Sequence, residues 1–110
     1  MPPVPIRVRP RARRDIDAAF GHYLDEAGVE VALRFVDEVE QALHLLARQP
    51  GLGSHRHAAW LRWPALRSWP LRPWPYVVLY QQLQDHLDIV RVLHTARDIA
   101  ASLAGADDQG

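Results

Sequence analysis

Residues 4–9, VPIRVR, alternate apolar and basic side chains with period two, as a half-exposed strand does, and Pro10 suits the first turn of a helix. This predicts a strand at a sheet edge. Between Arg11 and Ala27 the apolar residues Ile16, Phe20, Tyr23, Leu24 and Ala27 recur at helical spacing, and Gly28 is placed to stop the helix. A second stripe, Val29, Ala32, Val36, Val39, Leu43 and Leu46, predicts another helix that ends at Pro50 and Gly51. The two helices are expected antiparallel across a tight joint.

Residues 50–65 show no period and form a connection longer than most loops of compact domains, so they are functional or partly structured. The period then becomes two. Leu66–Leu71 reads as a short strand, Tyr76–Leu83 as a better one and Leu87–Leu93 as the best, with Gln84, Asp85 and His86 turning between the last two. Pro70, Pro73 and Pro75 cannot sit inside a central ladder, so the join of the first two strands must be an edge, a bulge or a wide turn. Residues 96–103 suit a final short helix, and 104–110 a frayed tail. The expected fold is α+β in the order β-α-α-β-β-β(-α), an antiparallel meander packed against an N-terminal helical hairpin. One domain, 1–110, with its core over 4–103, accounts for the chain.

Strict alternation puts Leu87, Ile89, Arg91 and Leu93 on one side of the last strand and Asp88, Val90, Val92 and His94 on the other. Both sides are then apolar, while the helices cover only one. A small chain with such a sheet and four tryptophans is expected to bury the second face against a partner.

Composition narrows the chemistry. There is no cysteine, which removes disulfides, thiolate nucleophiles, zinc fingers and iron–sulfur clusters. Every Lys+Arg position is arginine, which removes any mechanism needing a lysine base or Schiff base. The apolar runs fall far short of the roughly 18 residues that span a bilayer, and the N-terminus has no hydrophobic signal core. A soluble, unexported, cytoplasmic protein with no membrane partner is expected. The net charge of zero conceals segregation: the first fourteen residues carry five arginines and no acid, 15–40 eight acids against Arg34, and 41–97 seven arginines against two acids.

Three groups of residues are candidates for function. Arg91, His94 and Arg97 at the end of the last strand, joined by Arg67 and Arg72, compose a rim for an anionic ligand, with His94 a general acid or base if the reaction is phosphodiester cleavage. The alternative is that His94 and Asp98 order the turn while the arginines pair with carboxylates. Trp60, Trp63, Trp69 and Trp74 alternate with arginines, a composition that serves a protein interface, a core or a nucleic-acid surface. Arg7, Arg9, Arg11, Arg13 and Arg14 read as a solvated face paired with the acidic helices rather than as a nucleic-acid arm, with weak electrostatic docking left open. Ser54, His55, Arg56 and His57 offer two imidazoles without a third ligand at a metal-binding spacing, so no metal or other cofactor is expected.

Ala12, Asp15, Ile16 and Tyr23, then Leu46, Pro50 and Gly53, then Leu66 to Pro70, Tyr76 to Tyr80 and Val90 to Asp98 together form a pattern that resembles ParE-type toxins of the RelE/ParE superfamily. It covers residues 6–103. The resemblance implies the toxin component of a type II toxin–antitoxin system, neutralised by a cognate ParD-like antitoxin of the ribbon–helix–helix type whose extended C-terminal segment wraps the toxin. Trp60, Trp63, Trp69, Trp74 and Tyr80 are the residues assigned to that contact. RelE-like members cleave mRNA on the ribosome, whereas ParE-like members poison DNA gyrase without established catalytic residues. The nuclease branch uses basic residues, often lysines, an arginine three residues before the strand tyrosine, and often a C-terminal tyrosine. Here lysine is absent, Val77 stands three before Tyr80 and no tyrosine follows it. The resemblance therefore implies gyrase inhibition, with Arg67, Arg72, Arg91, His94 and Arg97 on the target and no sequence-specific DNA contact by this chain alone. The alternatives are a RelE-type endoribonuclease using His94, Arg97 and Arg91, and a non-toxic antitoxin-binding relative.

Overall fold

The computed structural model describes residues 2–59 and 61–99. The elements run β1 (Ile6–Val8), α1 (Pro10–Ala27), α2 (Val29–Arg48), a 3-10 turn (Pro50–Leu52), β2 (Arg67–Pro70), β3 (Tyr76–Gln82) and β4 (Leu87–His94). This is the expected α+β order. The chain turns helical again at 97–99, and the rest of the helix expected over 96–103, like the tail, lies outside the described residues.

One residue separates the helices. Gly28 donates its N–H to Leu24 O, closing α1, and accepts from the Ala32 N–H, opening α2. Its φ of 93° lies in the region that glycine enters without steric cost, so the reversal needs no further loop. The hairpin buries Ala12, Ile16 and Ala19 from α1 and Ala32, Phe35, Val39, Leu43 and Leu46 from α2. Val29, expected in that stripe, is exposed instead: it sits with Leu24 and Leu33 at the corner, where neither helix has anything to cover. Phe35 takes the inward place, meeting Tyr23, Trp74 and Tyr76 ring to ring at 5.2–5.3 Å.

The sheet order is β1-β4-β3-β2. β2, β3 and β4 form the expected antiparallel meander, and β1 lies at the edge as predicted but pairs parallel to β4, making the sheet mixed. The strict alternation expected along β4 fails at one place. Tyr80 opposes Ile89 while Leu79 opposes Arg91, so Val90 is an extra residue in the ladder, a β-bulge. Beyond it the faces exchange: Leu87, Ile89 and Val92 pack toward the helices, whereas Val90 and Leu93 share the opposite face with Val77 and Leu79.

That opposite face is covered by the chain itself, contrary to the expectation of a partner there. Val77, Leu79, Val90 and Leu93 are all buried, under Ala58, Leu61, Trp63, Leu66 and Ile99. The aperiodic connection does this because its polar groups pin it to the sheet. Ser54 and Ser68 exchange backbone hydrogen bonds, His55 Nδ1 is bonded to Leu66 O at 3.0 Å, and Trp63 Nε1 donates to Gln81 Oε1 at 3.1 Å. Beneath Trp63, Asp88 is 3% exposed and accepts from the Arg9 guanidinium at 2.8 and 3.0 Å and from Gln81 Nε2 at 2.8 Å. Arg9 stacks over the Trp63 ring at 5.2 Å, which ties β1, β3, β4 and the connection into one polar knot.

Candidate functional site

The sheet ends in β2, and β2 is flanked by two clefts that share Trp69, Pro70 and Arg72 as their common wall. One, of about 570 Å³, opens on the side of the connection and holds Arg56, His57, Ser68 and Trp74. The other, of about 730 Å³, opens toward α2, where Glu38, His44 and Arg48 face it. β2 adopts this position because it is short, ends at a proline and continues through the proline-rich turn of residues 71–75, in which the Arg72–Pro73 peptide is cis. Its outer edge is closed at Ser68 by Ser54, and Pro70 has no N–H to offer.

Within the first cleft His57 Nδ1 is hydrogen-bonded to Ser68 Oγ at 3.1 Å. Burial, and secondarily the neighbouring Arg56 charge, pushes the His57 pKa below that of a free imidazole. The arrangement is a histidine–serine contact in a cationic, aromatic cleft, and Ser68 is itself almost fully buried. It suits recognition of a polar or anionic group better than attack by the hydroxyl. Among the described residues no three histidine or acid side chains converge as metal ligands.

The arginine rim expected from the sequence does not assemble. Arg91 reaches over the edge of β4 to Asp15 of α1, Nε and one terminal nitrogen donating at 2.7 and 3.0 Å, and the same carboxylate accepts the Val92 N–H at 3.0 Å. Asp15 occupies this place because β1 has ended at Val8, leaving that edge of β4 without a strand neighbour. Arg67 donates to Gly51 O and Gly53 O at 3.2 and 2.7 Å on the far side of the sheet. Arg97 pairs with Asp98 at 2.8 Å. His94 Nδ1 accepts the backbone N–H groups of Ala96 and Arg97 at 3.3 and 3.2 Å, and the His94 backbone N–H donates to Asp98 Oδ2 at 2.9 Å. This is the turn-ordering role that the sequence left open as the alternative. Arg72 alone of the five stands exposed without an ion pair among the described residues.

The aromatic candidates divide in the same way. Trp69 and Trp74 are half-buried and line the clefts. Trp63 is engaged within the fold, and Trp60 lies outside the described residues. Tyr80 is 0% exposed, so its assignment to a contact surface is corrected: its hydroxyl accepts from Gly53 N–H and donates to Pro50 O, both at 2.8 Å. Burial raises its pKa, opposed in part by the Gly53 hydrogen bond. Sequence reasoning did not assign Arg56 and His57 to a binding cleft, because the long-range bonds that bring that segment alongside β2, from Ser54, His55 and His57 to Leu66 and Ser68, have no period. Asp15 read as a surface charge, although its place in the motif with Ala12 and Ile16 marked it.

Comparison with known proteins agrees with this architecture. The family profile described as ParE toxin of type II toxin-antitoxin system, parDE, matches residues 6–99. Toxin ParE3 of Caulobacter vibrioides is 35% identical over 98 residues, covering 89% of this chain and 92% of its own. A solved structure, described as the chromosomal ParDE TA system from P. aeruginosa, superposes with a TM-score of 0.71 at 22% identity, over 83% of this chain and 95% of that one; the likeness is one of fold. The profile and the relative, on a β-α-α-β-β-β core that carries every quoted motif, show that the chain belongs to the ParE toxin family of type II toxin–antitoxin systems.

Proposed function

We propose that this toxin acts by binding DNA gyrase and is held inactive by a cognate ParD-like antitoxin of the ribbon–helix–helix type. The observation that carries the reading is the commitment of the would-be catalytic groups: Arg91 to Asp15, Arg97 to Asp98, and His94 Nδ1 to two backbone N–H groups. With Nδ1 occupied, His94 keeps only Nε2 for proton transfer, and the two arginines that a phosphodiester cleavage would need beside it are each paired with a carboxylate, Arg91 fastening α1 to β4 and Arg97 bracing the following turn. Non-catalytic target binding asks only for a stable surface. For the antitoxin, the half-buried Trp69 and Trp74 beside Arg72 and Arg56 offer aromatic and arginine side chains of the kind that dominates interfaces. Leu24, Val29 and Leu33 add an apolar corner on the hairpin.

The test is a supercoiling and cleavage assay with purified gyrase and the antitoxin-free chain. Loss of supercoiling, or double-strand breaks that disappear on adding antitoxin, is the expected result. Unimpaired gyrase together with cleavage of translated mRNA that His94→Ala abolishes would replace this reading by the endoribonuclease. Unimpaired gyrase with intact mRNA would leave an antitoxin-binding relative without toxicity.

A further inference from the structure

We infer that the arginine surface where β1 feeds α1, formed by Arg7, Arg11, Arg13 and Arg14, is a sequence-independent docking site for the phosphate backbone of duplex DNA. All four side chains are exposed. The pairing with the acidic helices expected from the sequence does not occur: among the described residues none of the four makes an ion pair, and only Arg9, between them, is bound, to Asp88. Asp15, the nearest acid on α1, is taken by Arg91. Asp17, one turn beyond Arg13, and Asp85, on which Arg7 acts electrostatically, offset one charge each, leaving about two. Asp25 is 14 residues past Arg11 along α1, about 21 Å at the helical rise of ~1.5 Å per residue, well beyond a screening length of ~8 Å.

Three observations point to phosphate. The first is that the charges run against the helix. A helix start carries a positive partial charge and favours acids, yet the first turn of α1 has no acid and no side-chain cap, and arginines stand at positions 11, 13 and 14. Local stability would select the opposite pattern, so the reason for it lies outside the helix. The second is what the surface lacks. The large exposed apolar residues are Leu24, Val29, Leu33, Leu52 and Leu83, none of them in 2–14, whereas a protein partner's interface needs an apolar centre. A purely ionic surface gains its affinity by counterion release from a polyanion. The third is that every cation is arginine, whose planar fork grips phosphate with two parallel hydrogen bonds. Phosphate contacts carry no sequence information of their own, so the docking is expected to be without base specificity. The inference is independent of the gyrase reading.

The experiment is fluorescence anisotropy of two labelled 20-base-pair duplexes of unrelated sequence, titrated with the full chain over a series of salt concentrations. Equal affinity for both is expected, with a slope of log affinity on log salt of about −2. Arg11→Gln with Arg14→Gln should flatten that slope by about 1.8 and weaken binding at least tenfold at low salt, on the order of 0.9 per neutralised contact. The same variant should melt at or above the parent temperature, because it removes cations from a helix start, so lost binding cannot be blamed on lost folding. Absence of salt-dependent binding, a slope the double substitution leaves unchanged, or a preference for one duplex would overturn the assignment. So would equally tight binding of a poly-glutamate peptide of matched charge, which would make the surface a dock for an acidic protein.

Discussion

Tyr80 shows how much one hydroxyl holds. It joins the 3-10 turn to the middle of β3 through Pro50 O and Gly53 N–H, and Gly53 is close enough that an added Cβ would stand 2.5 Å from the hydroxyl oxygen. Tyr80→Phe leaves two backbone groups without their partner and should lower stability by roughly 1–3 kcal/mol, measurable by urea denaturation. Gly53→Ala should cost at least as much, through the clash. The Arg9 hydrogen bonds, helped by Gln81, hold the Asp88 pKa below the usual carboxylate range despite its burial. A carboxylate whose pKa is depressed by folding contributes stability that is complete above the unfolded value of about 4 and is lost as pH falls through the lower folded value. His57, also depressed, adds a shallower loss that begins as pH drops through about 6.5. Melting temperature followed from pH 8 to 3 should fall gently and then steeply, and Arg9→Gln should diminish the steep part.

At the scale of elements, the ion pair between Asp15 and Arg91 does the work of a missing strand. The carboxylate closes the edge of β4 beyond β1 and fastens α1 to the sheet, with side chains only 16% and 23% exposed. Asp15→Asn should therefore destabilise by about 2–3 kcal/mol, since Arg91 loses its counter-charge in a half-buried position. Removing Arg91 should read first as lost stability and only through it as lost toxicity, which circular dichroism beside a growth assay separates. The element order was legible because period and punctuation agree: Pro10 and Gly28 bound α1, and Pro50 follows α2 closely. The faces of β4 were not legible, because a bulge at Val90 leaves every residue strand-like while exchanging the sides. Nor was the cover of the second face, since its connection packs through single long-range hydrogen bonds, such as Trp63 to Gln81, that have no period. Of the candidate site, the interleaving of aromatic and arginine residues in the sequence singled out Trp69, Trp74 and Arg72, which come together along the two clefts. The partners of Arg91, Arg97 and His94 were not legible there, because spacing cannot distinguish a free cation from one that has met a carboxylate.

Over the whole molecule, the charge segregation seen along the chain becomes a separation in space. Exposed arginines gather where β1 enters α1, the exposed Asp25, Glu26 and Glu30 stand at the helix–helix corner, and the two clefts lie along the opposite sheet edge at β2. The aromatic and arginine side chains beside β2 are therefore apart from the arginines of 7–14, since β1 and β2 are the two ends of the four-stranded order. A toxin with separate surfaces can be occupied on one while the other stays open.

The way β2 ends has a consequence for life without the antitoxin. An unprotected edge strand is a template on which further copies add, and a free toxin that stacked in this manner would precipitate before reaching its target. Pro70 withholds a donor and Ser54 already occupies Ser68, so a second chain finds no run of hydrogen bonds to extend. Pro70→Thr should restore one donor, and light scattering should then rise with concentration where the parent stays monomeric. On this prediction, two residues that need touch no target limit self-association, and with it the time over which the released toxin stays in solution to act.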